Sequence, residues 1–184
     1  MKRTRHLAMI AHDMGLIFEF LGIVSLLPFL VLVIFGEWDL LLPMATAPFV
    51  FLTTGYLISH IPHEDIEPSF SATLSAVALS WLAIAFVGAL PFVFGLNLSY
   101  TDAVFEAMAG WTGTAFSMIP SLDQTPDTLL FWRSFMQWVG GIGVIVFGIS
   151  LRRKTRVSLF RMYRAEGRED ALVSATTSSS RRLW

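Results

Sequence analysis

Residues 99–118 read SYTDAVFEAMAGWTGTAFSM, and the architecture of the chain turns on how long a helix this stretch permits. Ser99 and Asp102 stand at the S-x-x-D spacing of a helix start, with Thr101 as a second capping residue. A helix from Thr101 to Trp111 is about 16 Å long at 1.5 Å per residue. The hydrocarbon core of a bilayer is roughly 30 Å thick, so such a helix covers about half of it. The residues that follow, Thr112, Gly113, Thr114 and Ala115, are small, partly hydroxylated and uncharged. A helix that stops at half depth leaves its last carbonyls without intrahelical partners. Lipid offers no hydrogen bonds, so that backbone is either buried in protein or lines water. The negative end of the helix dipole favours a cation there. Carbonyls and Thr hydroxyls in a short extended stretch can then replace an ion's hydration shell. Spacing alone favours the plainer reading, a re-entrant packing element with no pore.

Composition supplies the membrane. The 184-residue chain is 54% hydrophobic and 15% charged, with a mean hydropathy of +0.63. That is too little polar surface for a soluble domain. The absence of Cys excludes disulfides, thiolate metal sites and cysteine nucleophiles. Met14–Phe35 is apolar except for Glu19, too long for a signal-peptide core and not followed by a small-residue cleavage site; it reads as a retained transmembrane helix. Leu40–Ser59, interrupted by Pro43 and Pro48, Phe70–Phe94, and a run from Pro126 to Leu151 are the other spans. The Ala- and Ser-rich first half of the third suits close helix packing. The predicted fold is an all-α membrane protein of four transmembrane helices plus one re-entrant pore half-helix. Its divisions are 1–66 for two N-terminal helices, 67–151 for a membrane–pore-loop–membrane repeat, and 152–184 for a basic cytoplasmic tail.

Lys2, Arg3 and Arg5 precede the first span, and every other Lys and Arg except Arg133 lies between Arg152 and Arg182. Both termini are therefore predicted to be cytoplasmic, and the half-helix enters from outside. The outer loops carry Glu37, Asp39, Asp102, Asp123 and Asp127 and no Lys, a mouth that concentrates cations. Glu19 is costly within a span unless paired; near the cytoplasmic end it reads as snorkelling rather than lining a pathway. Arg133, about two turns into the last span, either pairs with Glu106 or Asp102 and braces the filter loop or lies exposed at the interface. Gly140, Gly141 and Gly143 serve packing or bending, with gating the alternative. In His60-x-x-His63-Glu64-Asp65, Pro62 prevents a shared helix face, so this reads as a polar loop rather than a metal cluster. The tail RRKTRVSLFRMYR reads as a topology signal touching lipid headgroups, not nucleic acid. Neither a nucleophile triad nor a glycine-rich phosphate loop occurs, and the chain is not expected to be an enzyme.

GALPF (88–92), TDAVFEAMAGWTGTAFSM (101–118), LLFWRSFMQWVGGIGVIVFGIS (129–150) and LFRMYRAEG (159–167) resemble the Trk/Ktr/HKT superfamily of cation transporters, TrkH-like potassium-uptake subunits above all. The resemblance implies two extra N-terminal helices, then four membrane–pore–membrane repeats around one potassium pathway, each giving a filter residue. This chain matches the extra helices and the first repeat. On the same basis Thr112, Gly113, Thr114 and Ala115 bind the ion, while Asp102, Glu106, Arg133, Gly140, Gly141 and Gly143 support the pore. Potassium, or sodium, is the transported ion, with no covalently bound cofactor. The implied location is the cell membrane. Implied partners are membrane lipid, the remaining repeats or other copies of the chain, and a cytosolic TrkA-like nucleotide-binding subunit.

Two features depart from the family pattern. The filter glycine falls at Ala115, in TGTA where TTTG or TGTG is usual, and Ala adopts φ > 0 only at a cost. In plant members a non-Gly residue in the first filter is associated with sodium permeation. In addition, one repeat cannot enclose a pore. A chain ending at RRLW is thus expected to self-assemble, to join a product carrying the other repeats, or to be a truncated, non-transporting remnant or four-span scaffold.

Overall fold

A computed structural model describes residues 2–63, 70–114 and 116–145. Ala115, Glu64, Asp65 and the tail 152–184 lie outside the described residues. The chain divides into two compact units, Met1–Gly141 and Ile142–Trp184. Of the second, only 142–145 are described, and they are helical.

Regular structure among the described residues is all helical. The helices are α1 (Lys2–Val24), α2 (Pro28–Phe35), α3 (Leu41–Ser59), α4 (Phe70–Gly88), α5 (Leu90–Leu96) and α6 (Tyr100–Thr112). A further helix, α7, occupies 127–145. Among the described residues, three stretches are long and apolar enough to cross a membrane: Ala8–Phe35, Trp38–Ser59 and Leu74–Leu96. The fourth expected span, Pro126–Leu151, is described only as far as residue 145.

The prolines act differently from their sequence reading. Pro28 opens α2 after a turn at residues 25–27, because its ring would clash with the Val24 carbonyl in a continuous helix. The expected first span is thus two helices, with Ser25 Oγ donating to Gly22 O at 2.9 Å in the break. Pro91 likewise restarts the chain as α5 after Ala89. Pro43 and Pro48 do not interrupt α3. Pro43 stands in the first turn, where an N–H has no intrahelical acceptor anyway.

α1 packs along α3, α3 against α5, and α4 against α6. At the α1–α3 crossing the backbones nearly touch: a Cβ on Gly15 would lie 2.5 Å from Ser59 N, and one on Gly55 2.7 Å from Glu19 N. Close approach of this kind substitutes for the hydrophobic drive that lipid does not provide. Glu19 accepts a hydrogen bond from Ser59 Oγ across the crossing. It is therefore held by α3 instead of snorkelling freely. His12 Nδ1 donates to Ser59 O at 2.6 Å and its ring stacks on His63, centroids 3.8 Å apart. One core runs through the unit, with Phe18, Leu32, Met44, Phe51, Phe92, Trp132 and Met136 in it. The outer surface is apolar, with Ile34, Leu42 and Leu57 at least 70% exposed, as a lipid-facing surface requires.

Candidate functional site

α6 leads into the candidate residues Thr112, Gly113 and Thr114. It begins at Ser99, whose Oγ accepts from Asp102 N at 3.2 Å and donates to Asp102 Oδ2 at 2.6 Å. Asp102 is thus committed to the helix start, where its charge also suits the dipole. The helix has 13 residues, about 20 Å, still short of a roughly 30 Å bilayer core. It ends at Thr112 in a Schellman cap. Gly113 adopts φ 70° and ψ 19°, its N–H bonds Gly110 O at 3.1 Å, and Thr114 N–H bonds Ala109 O at 3.1 Å. Only a residue tolerant of the left-handed region fits at 113. The sequence reading made Thr112–Thr114 an extended stretch; instead Thr112 closes the helix and Gly113 turns the chain. Thr112 Oγ1 donates to Met108 O at 2.7 Å. Thr112, Gly113 and Thr114 are all exposed.

Beyond the cap the chain is held by a charge pair. Glu106 is fully buried on α6, and its Oε1 lies 2.5 Å from Arg133 Nε of α7. Glu106 Oε2 accepts from Met118 N at 2.6 Å. Arg133 Nη2 donates to Phe116 O at 3.3 Å. One carboxylate and one guanidinium therefore clasp both ends of 116–118, with charge-assisted hydrogen bonds on each side. The structure brings Glu106 and Arg133 together and leaves Asp102 out.

α7 also meets the end of α6 at Gly140. A Cβ there would overlap Trp111 O, so the α7 backbone abuts the α6 terminus directly. Gly141 and Gly143 face open space within 4 Å. The Trp111 ring fills the gap between α4 and α7, with its Nε1 2.7 Å from where a Gly88 Cβ would sit and its ring edge-on to Trp132 at 6.4 Å. Trp132 Nε1 donates to Gly88 O at 3.1 Å.

Glu37, grouped by sequence with the acidic outer loops, has a specific task. Its Oε1 accepts from Asp127 N and its Oε2 from Thr128 N, both at 2.9 Å. Burial acts to raise its pKa, but the hydrogen bonds from Thr128 and Asp127 prevail and hold it below the usual carboxylate value. Nothing in the 90-residue separation announced this contact. The Gly113 cap, by contrast, was readable as Gly just past a periodic run.

Three membrane-length apolar stretches among the described residues, with a 13-residue helix packed between α4 and α7, define a multi-pass protein of the cell membrane. A model of the TrkH family, described as a cation transport protein, matches residues 44–177. The chain belongs to this family. An uncharacterized cation transporter of Methanocaldococcus jannaschii is 31% identical over 177 residues, 95% of this chain and 37% of that protein. The Trk system potassium uptake protein TrkH of Escherichia coli K12 is 41% identical over 92 residues, 49% of this chain and 19% of its own length. The crystal structure of the potassium transporter TrkH from Vibrio parahaemolyticus superposes with a TM-score of 0.72 at 31% identity, over 79% of this chain and 31% of that one. The chain thus spans about a third of the length of the relatives that match most of it.

Proposed function

We propose that the chain contributes one quarter of the selectivity filter of a TrkH-like transporter of monovalent cations, chiefly potassium. The observation that carries this is the α6 terminus: a 13-residue helix too short to span, capped by Gly113, braced through Glu106 and Arg133, and ending in exposed Thr112, Gly113 and Thr114. The dipole's negative end points where a cation would sit. Thr112 Oγ1 has its proton engaged by Met108 O, which leaves its lone pairs to accept, the chemistry a dehydrated cation needs. The Escherichia coli relative is a potassium uptake protein, and the Vibrio parahaemolyticus structure is that of a potassium transporter.

In this reading 126–151 is a fourth span, α6 is a re-entrant pore helix, and both termini are cytoplasmic. Thr112, Gly113, Thr114 and Ala115 line the filter, and Gly140 lets α7 pass close beneath it. Ala115, where the family pattern has Gly, weakens potassium selectivity and admits sodium. The remaining quarters come from further repeats or copies, and a TrkA-like nucleotide-binding subunit docks on the cytosolic side.

The test is a chimera. The matching third of a functional TrkH is replaced by residues 1–184 and expressed in a host lacking potassium uptake. Growth at low potassium supports the reading. A chimera that inserts at normal levels but restores no growth would instead favour the remnant or scaffold.

A further inference from the structure

We infer that Glu37 is a positioning residue for the pore loop: from the turn between α2 and α3 it caps α7 and so sets where Arg133 and Gly140 meet the end of α6. The consequence for ion flow rests on the proposed function above, whereas the capping geometry does not.

The start of α7 lacks a local cap. The residue before its first helical position is Pro126, which has no side-chain acceptor to offer, where Ser, Thr, Asp or Asn would normally serve. Thr125, one residue earlier, donates its hydroxyl to Ser121 O at 2.8 Å. The cap therefore comes from 90 residues away. The two carboxylate oxygens of Glu37 take the N–H groups of Asp127 and Thr128. This satisfies the first two N–H groups of the helix, which have no intrahelical acceptor, and places a negative charge on the positive end of the dipole.

α7 is the lever through which this reaches the loop. Arg133 lies six residues beyond Asp127, about 9 Å along the axis. It bonds Glu106 and Phe116 O, while Gly140, further along, abuts Trp111 O. One rigid helix thus touches the α6 terminus and the 116–118 segment from a position fixed at its first turn. Glu37 belongs to the helices that precede the repeat, so those helices hold the repeat in register. The acidic groups on the surrounding elements are Asp39, Asp123 and Asp127, all exposed, and none of them makes this pair of bonds.

The chain has no Cys, so Ser117→Cys introduces a single reporter thiol within the clasped segment. The chain is reconstituted in lipid nanodiscs, and the reaction of that thiol with a water-soluble methanethiosulfonate is timed. Losing the cap by Glu37→Ala should speed modification about tenfold, in line with the loss of a helix cap. Glu37→Asp, which keeps the carboxylate, should restore part of the protection. Phe18→Ala, which destabilises the α1–α3 core elsewhere, should lower the melting temperature without this effect. A Glu37→Ala rate within about twofold of the parent, or equal acceleration by Phe18→Ala, would overturn the inference. If Glu37→Ala does not insert, Glu37→Gln is read by hydrogen exchange at Asp127 and Thr128. Faster exchange at either amide supports the cap, and unchanged exchange at both contradicts it. No ion flux enters these readouts, so failure of the transport reading would be seen separately, in the chimera.

Discussion

A methyl group added at Gly140 would collide with the Trp111 carbonyl oxygen, whereas one added at Gly141 meets nothing within 4 Å. Gly140→Ala must push α7 off α6, and overpacking of this kind costs about 1–3 kcal/mol. Gly141→Ala should be neutral or stabilise by up to about 1 kcal/mol, because Ala favours the helix. Thermal unfolding of the two variants in detergent measures the contrast. The sequence GGIG signals a close approach, but which glycine makes it depends on how α7 is rotated, and that is fixed by contacts far away in sequence. Glu106 and Arg133 were legible as partners because each is a costly charge in an apolar setting. Their hydrogen bonds to Met118 N and Phe116 O were not, since backbone groups leave no trace in a pattern of letters. Glu106→Ala leaves Arg133 without its carboxylate and should cost about 3–5 kcal/mol, while adding Arg133→Met should recover part of that loss. Unfolding of the single and double variants reads the difference.

At the scale of helices, the apolar runs were legible and their breaks were not. Proline alone does not decide a break. Pro43 and Pro48 sit within α3, while Pro28 and Pro91 open new helices, and the outcome depends on what the surrounding structure offers the freed carbonyls. The start of α6 was nearly correct because Ser99 is a local signal; its end lies one residue past Trp111, where Gly113, expected to be extended filter backbone, caps the helix instead. Ser99→Ala should destabilise α6 by about 1 kcal/mol, visible as faster exchange at Asp102 N. The cap on α7 came from outside its own sequence and so went unread. It also gives α7 a pH dependence. The pKa of Glu37 is held below its ordinary value in the folded chain. Its stabilising effect is therefore complete above the ordinary carboxylate range and is lost as pH falls through the lowered folded value. A melting curve taken at successively lower pH should show this acid limb, and Glu37→Gln should flatten it.

For the whole molecule, the family motifs carried most of the reading, and the part beyond them concerns assembly. Exposed Thr112, Gly113 and Thr114 stand at the end of a 13-residue helix in a chain that matches about a third of its relatives' length. A filter role requires that surface to become the wall of a cation path once the other repeats surround it. Ala115 bears on which cation: Ala115→Gly in the chimera should raise the ratio of rubidium to sodium flux. The most direct test of the pathway itself uses Thr114→Cys in a chimera otherwise free of cysteine. Radioactive rubidium uptake into vesicles is followed while a water-soluble methanethiosulfonate is added from outside. If Thr114 lines the path, modification blocks uptake and external potassium slows the block. Complete modification of the introduced thiol with rubidium uptake unchanged would contradict it.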